Sequence, residues 1–461
     1  MGFLENLFAR ITPTSLRRRS YEGASQARRA SGIGTMSNVH GAAQAARVPL
    51  MLRARHLEAN NAHAAAGVTA WVSAIIGTGI KPQSSHPDQA LRLALNGRWT
   101  AWTDEADADG LGDTYALQAL MVRRMVVDGE AFALTMATAA GLRVRVIAPE
   151  QVDASLTCLL PNGGRIISGI EFDAAGARIA YHIYKEQPGL GLGVRLTPVR
   201  VPTEDVIHLF RQDFPGQVRG LSWFAPVLIR LADLDEWHGA QLMRQKVGAL
   251  HTGFVTTTDG GVPYPAETRI DVAIGGLEPG AMVVLPPGTD VRFSEPPAIS
   301  DEANTFGRIT LHEIAAGLGL PYEVFGDLSS VNYSSIRAGL VEWHRRIEMI
   351  QHNTVVFQAL RPMWRRWAAL EVLSGRIGGT VEGALACTWI SPKRQWVDPS
   401  KDVAAEISAI GAGLMSRREA VAARGLDIEA LDAEIAADRA RTEALGLSFE
   451  ASAGQPVETV Q

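Results

Sequence analysis

His312 and Glu313 come nearest, by type and spacing, to metal chemistry in this sequence. They open the segment HEIAAG, which is like the start of a zinc-peptidase helix, where a second His four positions later completes a pair of ligands on one face. That later position is Ala316, so a zinc ion would lack the pair. The two residues therefore predict a solvated or inter-subunit helix face rather than a metal centre.

Other partial motifs also stop short of a reactive site. The run GLGLG at 189–193 lacks the full spacing of a dinucleotide fingerprint, which favours a loop. The acidic run from Asp104 to Asp109 lacks the spaced ligands of a calcium loop. The sequence has neither a P-loop lysine motif nor a serine in a GxSxG turn. We therefore expect that the chain is not an enzyme and needs no cofactor or metal.

A polar segment, GDLSSVNYSSIRAG, runs from Gly326 to Gly339 between two strongly helical stretches. Its hydroxyl and amide side chains could form and release single hydrogen bonds, and Tyr333 adds bulk with a polar tip. We interpret the segment as a weakly charged contact surface with Gly326 and Gly339 as hinges, although a plain connection between helices remains the alternative. The candidate contact residues are Ser329, Ser330, Asn332, Tyr333, Ser334 and Ser335.

The composition is that of a globular protein with more than one domain. The chain has 461 residues, 46% of them hydrophobic and 20% charged, with a formal net charge of -5. This balance argues against a protein that wraps nucleic acid, although residues 1–49 form an arginine-rich arm that reads as a flexible tail. Cys158 and Cys387 stand too far apart in the sequence to form a disulfide framework, which fits a reducing compartment.

The N-terminal half has an α+β pattern. Helices are predicted over 48–80 and 114–127, the second with Asp113 as its N-cap. The stretch between Glu58 and Lys81 has no charged residue, but its Asn, His and Gly content favours a buried helix over a membrane span. Alternating apolar residues then predict an antiparallel meander. Its strands are Phe132–Met136, Leu142–Ile147, Ile166–Phe172 and Ile179–Tyr184.

The C-terminal half alternates between long helices and a small β-rich module. Ser222 is expected to cap a helix that continues to about Leu250, and a Gly- and Pro-rich module with short strands follows over 252–300. Helix returns from about Asp301 to Leu320. After the polar segment, a long helix carries an apolar stripe, with a kink or restart at Pro362. A last helical block is expected over about 401–445. This layout suits an elongated subunit that packs beside copies of itself.

From roughly residue 50 to 445, the chain resembles the lambda-type portal proteins of tailed bacteriophages. Two elements are the most specific, Asp-Val-Ile-His at 205–208 and Gly-Gln-Val-Arg-Gly at 216–220. The other segments that carry the resemblance are RHLEANNAHAAAGVTAWVSAIIGTGI, VVDGEAF, IAPEQVD, LEPGAMVVLPPGTDVRFSEP and GLGLPYEVFGDLSSVNYSSIRAGLVEWHRR.

The resemblance implies a portal-type, mainly helical α+β fold that assembles as a homododecameric ring at one capsid vertex. It implies the following parts: an N-terminal arm (1–49), an α+β wing (50–220), a stem helix (221–250), a clip (251–300), a second stem helix (301–320), a tunnel loop (321–339), a long wing helix with the segment after it (340–395), a helical crown (396–445) and a tail (446–461).

The resemblance also implies a set of partners. Double-stranded DNA would pass through the central channel without sequence readout, and the large terminase subunit, a separate ATPase, would dock at the clip before the head–tail adaptor replaces it. Major capsid and scaffolding proteins would surround the ring, which would lie in the virion and, during assembly, in the host cytoplasm. A head-processing enzyme or another structural protein of the phage head is the alternative.

Overall fold

The structure is a computed structural model that describes Met36 and residues 38–189, 197–249, 253–257, 289–293, 301–325, 333–393 and 399–447. The chain divides into two compact units, Met1–Val48 and Pro49–Gln461. The hydrophobic clusters and the sites described below all lie in the second unit.

Two helices open the described chain, α1 (Val39–Asn60) and α2 (Ala62–Ile75). The sequence predicted one continuous helix over 48–80, and that prediction is wrong at Asn61. This residue is extended, and its side chain accepts a hydrogen bond from the backbone N–H of Ala64. An N-cap satisfies a donor that has no partner inside the helix, so Asn61 begins a second helix where the apolar pattern is uninterrupted.

Two further helices precede the sheets, α3 (Gln89–Thr103) and α4 (Thr114–Asp128). Between α2 and α3 runs β1 (Lys81–Ser84). The side chain of Asp113 accepts a hydrogen bond from the N–H of Ala116, so the predicted N-cap of α4 is confirmed.

The strands of the N-terminal half form two antiparallel sheets. The first has three strands in the order β3-β2-β9, with β2 at Glu130–Thr138, β3 at Gly141–Ile147 and β9 at Val206–Phe210. The second is a five-stranded meander, β4 to β8. Its strands are Cys158–Leu159, Arg165–Ile167, Ile170–Phe172, Arg178–Tyr184 and Pro198–Pro202.

The sequence predicted a single strand over Ile166–Phe172, but the structure has a tight hairpin there. Ser168 and Gly169 both have positive φ, 49° and 79°, and connect β5 to β6, with Ile167 paired to Ile170. Two consecutive residues with positive φ form the two-residue turn that matches the twist of a hairpin. Because apolar residues alternate on both sides of the turn, the sequence pattern predicted one continuous strand.

A helical hairpin and a small β-hairpin follow. The predicted helix at Ser222 begins later, because Trp223 to Val227 form turns and α5 runs over Leu228–Ala249. The strands β10 (Gly253–Thr257) and β11 (Thr289–Phe293) pair antiparallel, which confirms two of the predicted short strands. The third, Met282–Leu285, lies outside the described residues. The helix α6 (Asp301–Leu318) then packs on α5.

The long helix is continuous from Tyr333 to Leu373, with a change of pitch in the middle. It consists of α7 (Tyr333–Ile350), a π-helical stretch (Gln351–Leu360) and α8 (Arg361–Leu373). In an α-helix the ring of Pro362 would collide with the carbonyl four residues earlier. Here the N–H of Arg361 reaches back to the carbonyl of Val356, so the wider turns upstream accommodate Pro362.

The chain ends in short helices and one strand. They are α9 (Val381–Ala384), β12 (Cys387–Ile390, paired with β1), α10 (Pro399–Gly411), α11 (Arg417–Ala423) and α12 (Ile428–Ala444). The last helical block of the sequence prediction is therefore three helices.

The main hydrophobic core joins α2, α4, α6 and the long helix, and a smaller cluster lies around Phe132, Ile170 and Tyr181. Four tryptophans, Trp99, Trp102, Trp364 and Trp367, pack against one another at tilted or edge-on angles within the main core. None of the helices within the described ranges combines the length and the apolar content that a bilayer crossing needs. The mainly helical α+β class is thus confirmed.

Candidate functional site

The predicted contact segment is shorter than the sequence pattern indicated. Before it, Tyr322–Phe325 form one 3-10 turn; after it, α7 begins at Tyr333. The backbone of Tyr333, Ser334 and Ser335 is therefore helical, and Gly339 is an exposed residue inside α7 rather than the end of a loop. Because the first residues of this helix are polar, the sequence pattern predicted a loop where the first turns lie. The remaining candidates, Gly326, Ser329, Ser330 and Asn332, lie outside the described residues.

The two flanks of this segment are held together by Trp71 of α2. Its indole N–H donates to the carbonyl of Leu318 at 3.2 Å, at the end of α6. Its ring packs on Trp343 of α7, with ring centroids 4.4 Å apart. The guanidinium of Arg346 in α7 also donates to the carbonyl of Gly319. The end of α6 and the middle of α7, which precede and follow residues 320–332 in the sequence, are therefore fixed to each other, an arrangement that we call the Trp71 clamp.

His312 and Glu313 have structural surroundings that explain them without a metal. The imidazole of His312 stacks on the ring of Tyr322, with centroids 3.6 Å apart, and so braces the 3-10 turn that enters the segment. Glu313 lies 3.7 Å from Arg230, measured between Oε2 and Nε, and its side chain is 53% exposed. No cluster of three or more His, Cys, Asp or Glu side chains within the described ranges is placed to hold a metal ion.

The motifs that carry the family resemblance converge on a buried ion cluster, which we call the Glu130 cluster. Arg219 donates from Nε and Nη2 to the carboxylate of Glu130, at 2.9 and 2.6 Å. Nη1 donates to the carbonyl of Ser168, and Nη2 also donates to the carbonyl of Pro149. The backbone N–H of Gly220 adds a further hydrogen bond to Glu130 at 3.0 Å. Each ion is thus paired and hydrogen-bonded, which burial of charge requires.

His208 completes the Glu130 cluster from the edge strand β9. Its Nε2 lies 3.2 Å from Glu130, and its Nδ1 lies 3.1 Å from the guanidinium of Arg178, which can only donate. Nδ1 therefore accepts and Nε2 donates, as in a neutral imidazole. Burial lowers the pKa of His208 to about 4, which fits this neutral form. The ring lies between Phe132 and Phe210, with centroids 4.2 and 4.6 Å away.

Two glycines permit the backbones to approach at this cluster. Gly129 has φ +92°, and a Cβ there would lie 2.2 Å from the carbonyl carbon of Leu221. A Cβ at Gly220 would lie 2.0 Å from the carbonyl oxygen of Gly129. Any side chain at either position would push the two segments apart. Close packing of the two segments therefore explains why a glycine precedes Glu130 in one motif and follows Arg219 in the other.

The Glu130 cluster anchors the fold and has no access for a substrate. Glu130, Arg219 and His208 are buried, and they tie β2 and β9 to the chain that leads into α5. Sequence reasoning quoted the motifs but missed both this cluster and the Trp71 clamp. The motif residues themselves were the available signal for the cluster, since Glu130 and His208 each lie in an otherwise apolar strand and Arg219 lies in the second motif.

Comparisons with known proteins show which family the chain resembles. The family model described as "Phage portal protein, lambda family" matches residues 26–351. A probable portal protein of Halomonas phage phiHAP-1 is 24% identical over 379 residues, which cover 78% of this chain and 73% of that protein. Portal protein B of Escherichia phage lambda is 23% identical over 329 residues, which cover 63% of this chain and 61% of the relative.

Among solved structures, the chain is similar to the neck of a native gene transfer agent particle computed with C12 symmetry. The TM-score is 0.47 at 16% identity, with 81% of this chain and 91% of that chain covered. A portal protein of the HK97 family from Corynebacterium diphtheriae has a TM-score of 0.29 at 12% identity, with 72% and 91% covered.

The match to the family model extends over more than half of the chain. The chain therefore belongs to the lambda family of phage portal proteins, the class that forms the head–tail connector, and the predicted family resemblance is confirmed. The family is a structural one.

Proposed function

We propose that twelve copies of this chain form a closed ring at one vertex of a phage capsid. Membership of the portal family is the observation that carries the proposal. The helical hairpin supports it, because α5 and α6 expose large apolar side chains of the kind that mark subunit interfaces. These are Ile229, Leu242, Met243, Phe306 and Ile309.

In this ring, α5 and α6 form the stem along the central axis and the hairpin β10–β11 belongs to the clip. The clip presents its strand edges to the large terminase subunit during DNA packaging and to the head–tail adaptor afterwards. Major capsid and scaffolding proteins contact the outside of the ring. The assembled ring belongs to the virion, and its subunits pass through the host cytoplasm.

Residues 320–332, with the first turn of α7, line the narrowest part of the channel and contact passing double-stranded DNA. Each Lys or Arg that neutralises a phosphate releases counterions and adds affinity, so a ring of basic contacts would hold DNA in place. The candidate contact side chains are uncharged and can form and release single hydrogen bonds to phosphates. They are Ser329, Ser330, Asn332, Tyr333, Ser334 and Ser335. The Trp71 clamp gives this lining a fixed base while DNA moves through.

The test of the ring is microscopy of the purified full chain. Negative-stain images should contain rings of about twelve subunits with a central hole. A protein that remains monomeric at micromolar concentration, or that has peptidase activity, would contradict the portal assignment and favour a head-processing enzyme.

The test of the channel role is the double substitution Asn332→Ala with Tyr333→Ala in particles that assemble normally. We expect a lower yield of packaged DNA or poorer retention, because the lining loses both its bulk and its hydrogen bonds. Asn162→Ala, at an exposed turn of the five-stranded sheet, is the control. Wild-type packaging and retention in the double variant would favour the plain helix connection.

A further inference from the structure

An apolar groove runs between α1 and α5 near the start of the stem. Its volume is about 440 Å³. Its two polar lining residues are Arg53 and His56, both exposed. Ile229 is 74% exposed although it forms part of an apolar wall. The apolar lining residues are Leu52, Leu57, Leu228, Ile229 and Ala232.

The ionisable side chains that line the groove are all basic. Its lining contains a guanidinium and an imidazole but no carboxylate. Within the described part of the chain, no acidic side chain pairs with Arg53. An occupant that fits this groove therefore has an apolar ridge with a carboxylate beside it.

The outer face of α6 has this combination. Phe306, Ile309 and Glu313 follow one another at helical spacing, and both apolar side chains are more than half exposed. Glu313 is 53% exposed, and its contact with Arg230 of the same subunit is long, at 3.7 Å. Its carboxylate is thus available for a shorter ion pair.

The contacts between α5 and α6 show which residues of the groove and of the α6 face lie at the same height along the stem. A Cβ at Gly317 would lie 2.3 Å from Val227, and a Cβ at Gly307 would lie 3.4 Å from the ring of Trp237. Because the helices run antiparallel between these two contacts, Ile229 to Ala232 stand level with His312 to about Ala315. Glu313 therefore stands at the height of the groove.

We propose that the groove of one subunit receives the α6 face of the next subunit in the ring, with Glu313 pairing with Arg53 and His56. The inference rests on the proposed ring with its stem along the axis. Under cyclic symmetry, neighbouring subunits are related by rotation alone, so surfaces at equal height meet. A groove and a ridge on different elements form a head-to-tail contact, which can close into a ring.

The experiment combines a charge swap with crosslinking in the full chain. Arg53→Glu and Glu313→Arg should each abolish most of the ring peak in size-exclusion chromatography, and the double variant should restore it. Glu204→Arg, an exposed reversal away from the groove, should leave the ring peak unchanged. Failure of the double variant to recover rings would contradict the pairing.

For crosslinking, Leu52→Cys and Ile309→Cys are combined after Cys158 and Cys387 are replaced by Ser. Oxidised rings should run as a ladder that extends beyond the dimer, because a head-to-tail link repeats around the ring. Each single-cysteine control should stop at monomer or dimer. Rings that assemble without a ladder would overturn the groove contact while the portal function stands. Absence of rings in the unsubstituted protein would overturn the portal function and the groove contact with it.

Discussion

At the scale of single residues, a buried group of polar side chains holds distant parts of the chain together. Glu130, Arg219 and His208 satisfy one another with short hydrogen bonds in a place that water does not reach. Removal of one partner from a buried ion pair usually costs about 3–5 kcal/mol, because the other charge stays desolvated. This cost gives a physical reason why Glu130 and Arg219 have to be present together.

The pH dependence of stability should identify the buried histidine. The pKa of His208 is about 4 in the folded chain, whereas an imidazole in an unfolded chain titrates near 6.5. Between these values the unfolded state binds the extra proton, so the free energy of unfolding falls as the pH drops, by up to about 3 kcal/mol. Urea unfolding between pH 4 and 7 should give a weaker pH dependence for His208→Gln than for the wild type.

The control for this measurement is His352→Gln, an exposed residue of the π-helical stretch. Burial also lowers the pKa of His63, which acts in the same direction, but it is common to all three proteins and cancels in the comparison. Parallel curves for His208→Gln and the wild type would contradict a buried neutral imidazole.

At the scale of elements, the long helix is anchored at its middle and its C-terminal end. Gln351 donates from its side chain to the carbonyl of Ile75 at 2.6 Å, and Gln358 accepts from the backbone N–H of Phe210 at 2.9 Å. Both bonds come from the π-helical stretch, and α8 is fixed in the tryptophan cluster. The N-terminal part of α7, which carries the proposed channel residues, is therefore continuous with a part of the helix that is held in place.

The two glycines of α6 should respond in opposite ways to the same substitution. At Gly317 a Cβ would lie 2.3 Å from Cγ1 of Val227, whose branched side chain is buried. Overpacking of this kind costs about 1–3 kcal/mol, which exceeds the roughly 1 kcal/mol that alanine adds to a helix. At Gly307 the nearest atom is 3.4 Å away, an ordinary contact. The unfolding temperature of Gly307→Ala should be higher than that of the wild type, and the unfolding temperature of Gly317→Ala should be lower.

Each variant in this pair is the matched control for the other, because both change the same residue type inside the same helix. An equal shift in both unfolding temperatures would mean that helix propensity alone decides the result. In that case the contact of Val227 with Gly317 would not set the spacing of α5 and α6.

At the scale of the whole molecule, the proposed ring multiplies every channel contact by the number of subunits. A contact too weak to matter in one chain becomes a strong hold on DNA when it repeats around the duplex. A lining without net charge therefore serves transport better than a basic one. The uncharged side chains of the contact segment fit this requirement.

A positive charge added to the lining should slow DNA release. Asn332→Arg would place an arginine in every subunit, and each phosphate contact adds about 0.9 to the slope of log affinity against log salt concentration. DNA ejection from variant particles should be slow at low salt and recover at high salt. Asn332→Gln, which keeps the amide, should behave like the wild type. A salt-independent defect would place Asn332 away from the DNA path.

The sequence by itself determined the class of fold, the family and the bounds of some elements, such as α4 and β3. These features follow from short-range patterns, such as alternation in strands, the cap at Asp113 and the ordered motifs from residue 55 to residue 346. Where a boundary prediction was wrong, a local signal had been hidden, as at Asn61, at the Ser168–Gly169 turn and in the polar first turn of α7.

Only the tertiary structure decided what the motif residues do. Arg219 meets Glu130 across 89 residues, and Trp71 meets Leu318 across 247. No periodicity in the sequence reports such pairs, because they depend on how whole elements pack. The groove at Arg53 and Ile229 is also a product of packing, since its lining comes from α1 and α5, which lie far apart in the sequence. The physical reason is that burial and pairing belong to sets of distant residues, whereas helix and strand patterns belong to neighbours.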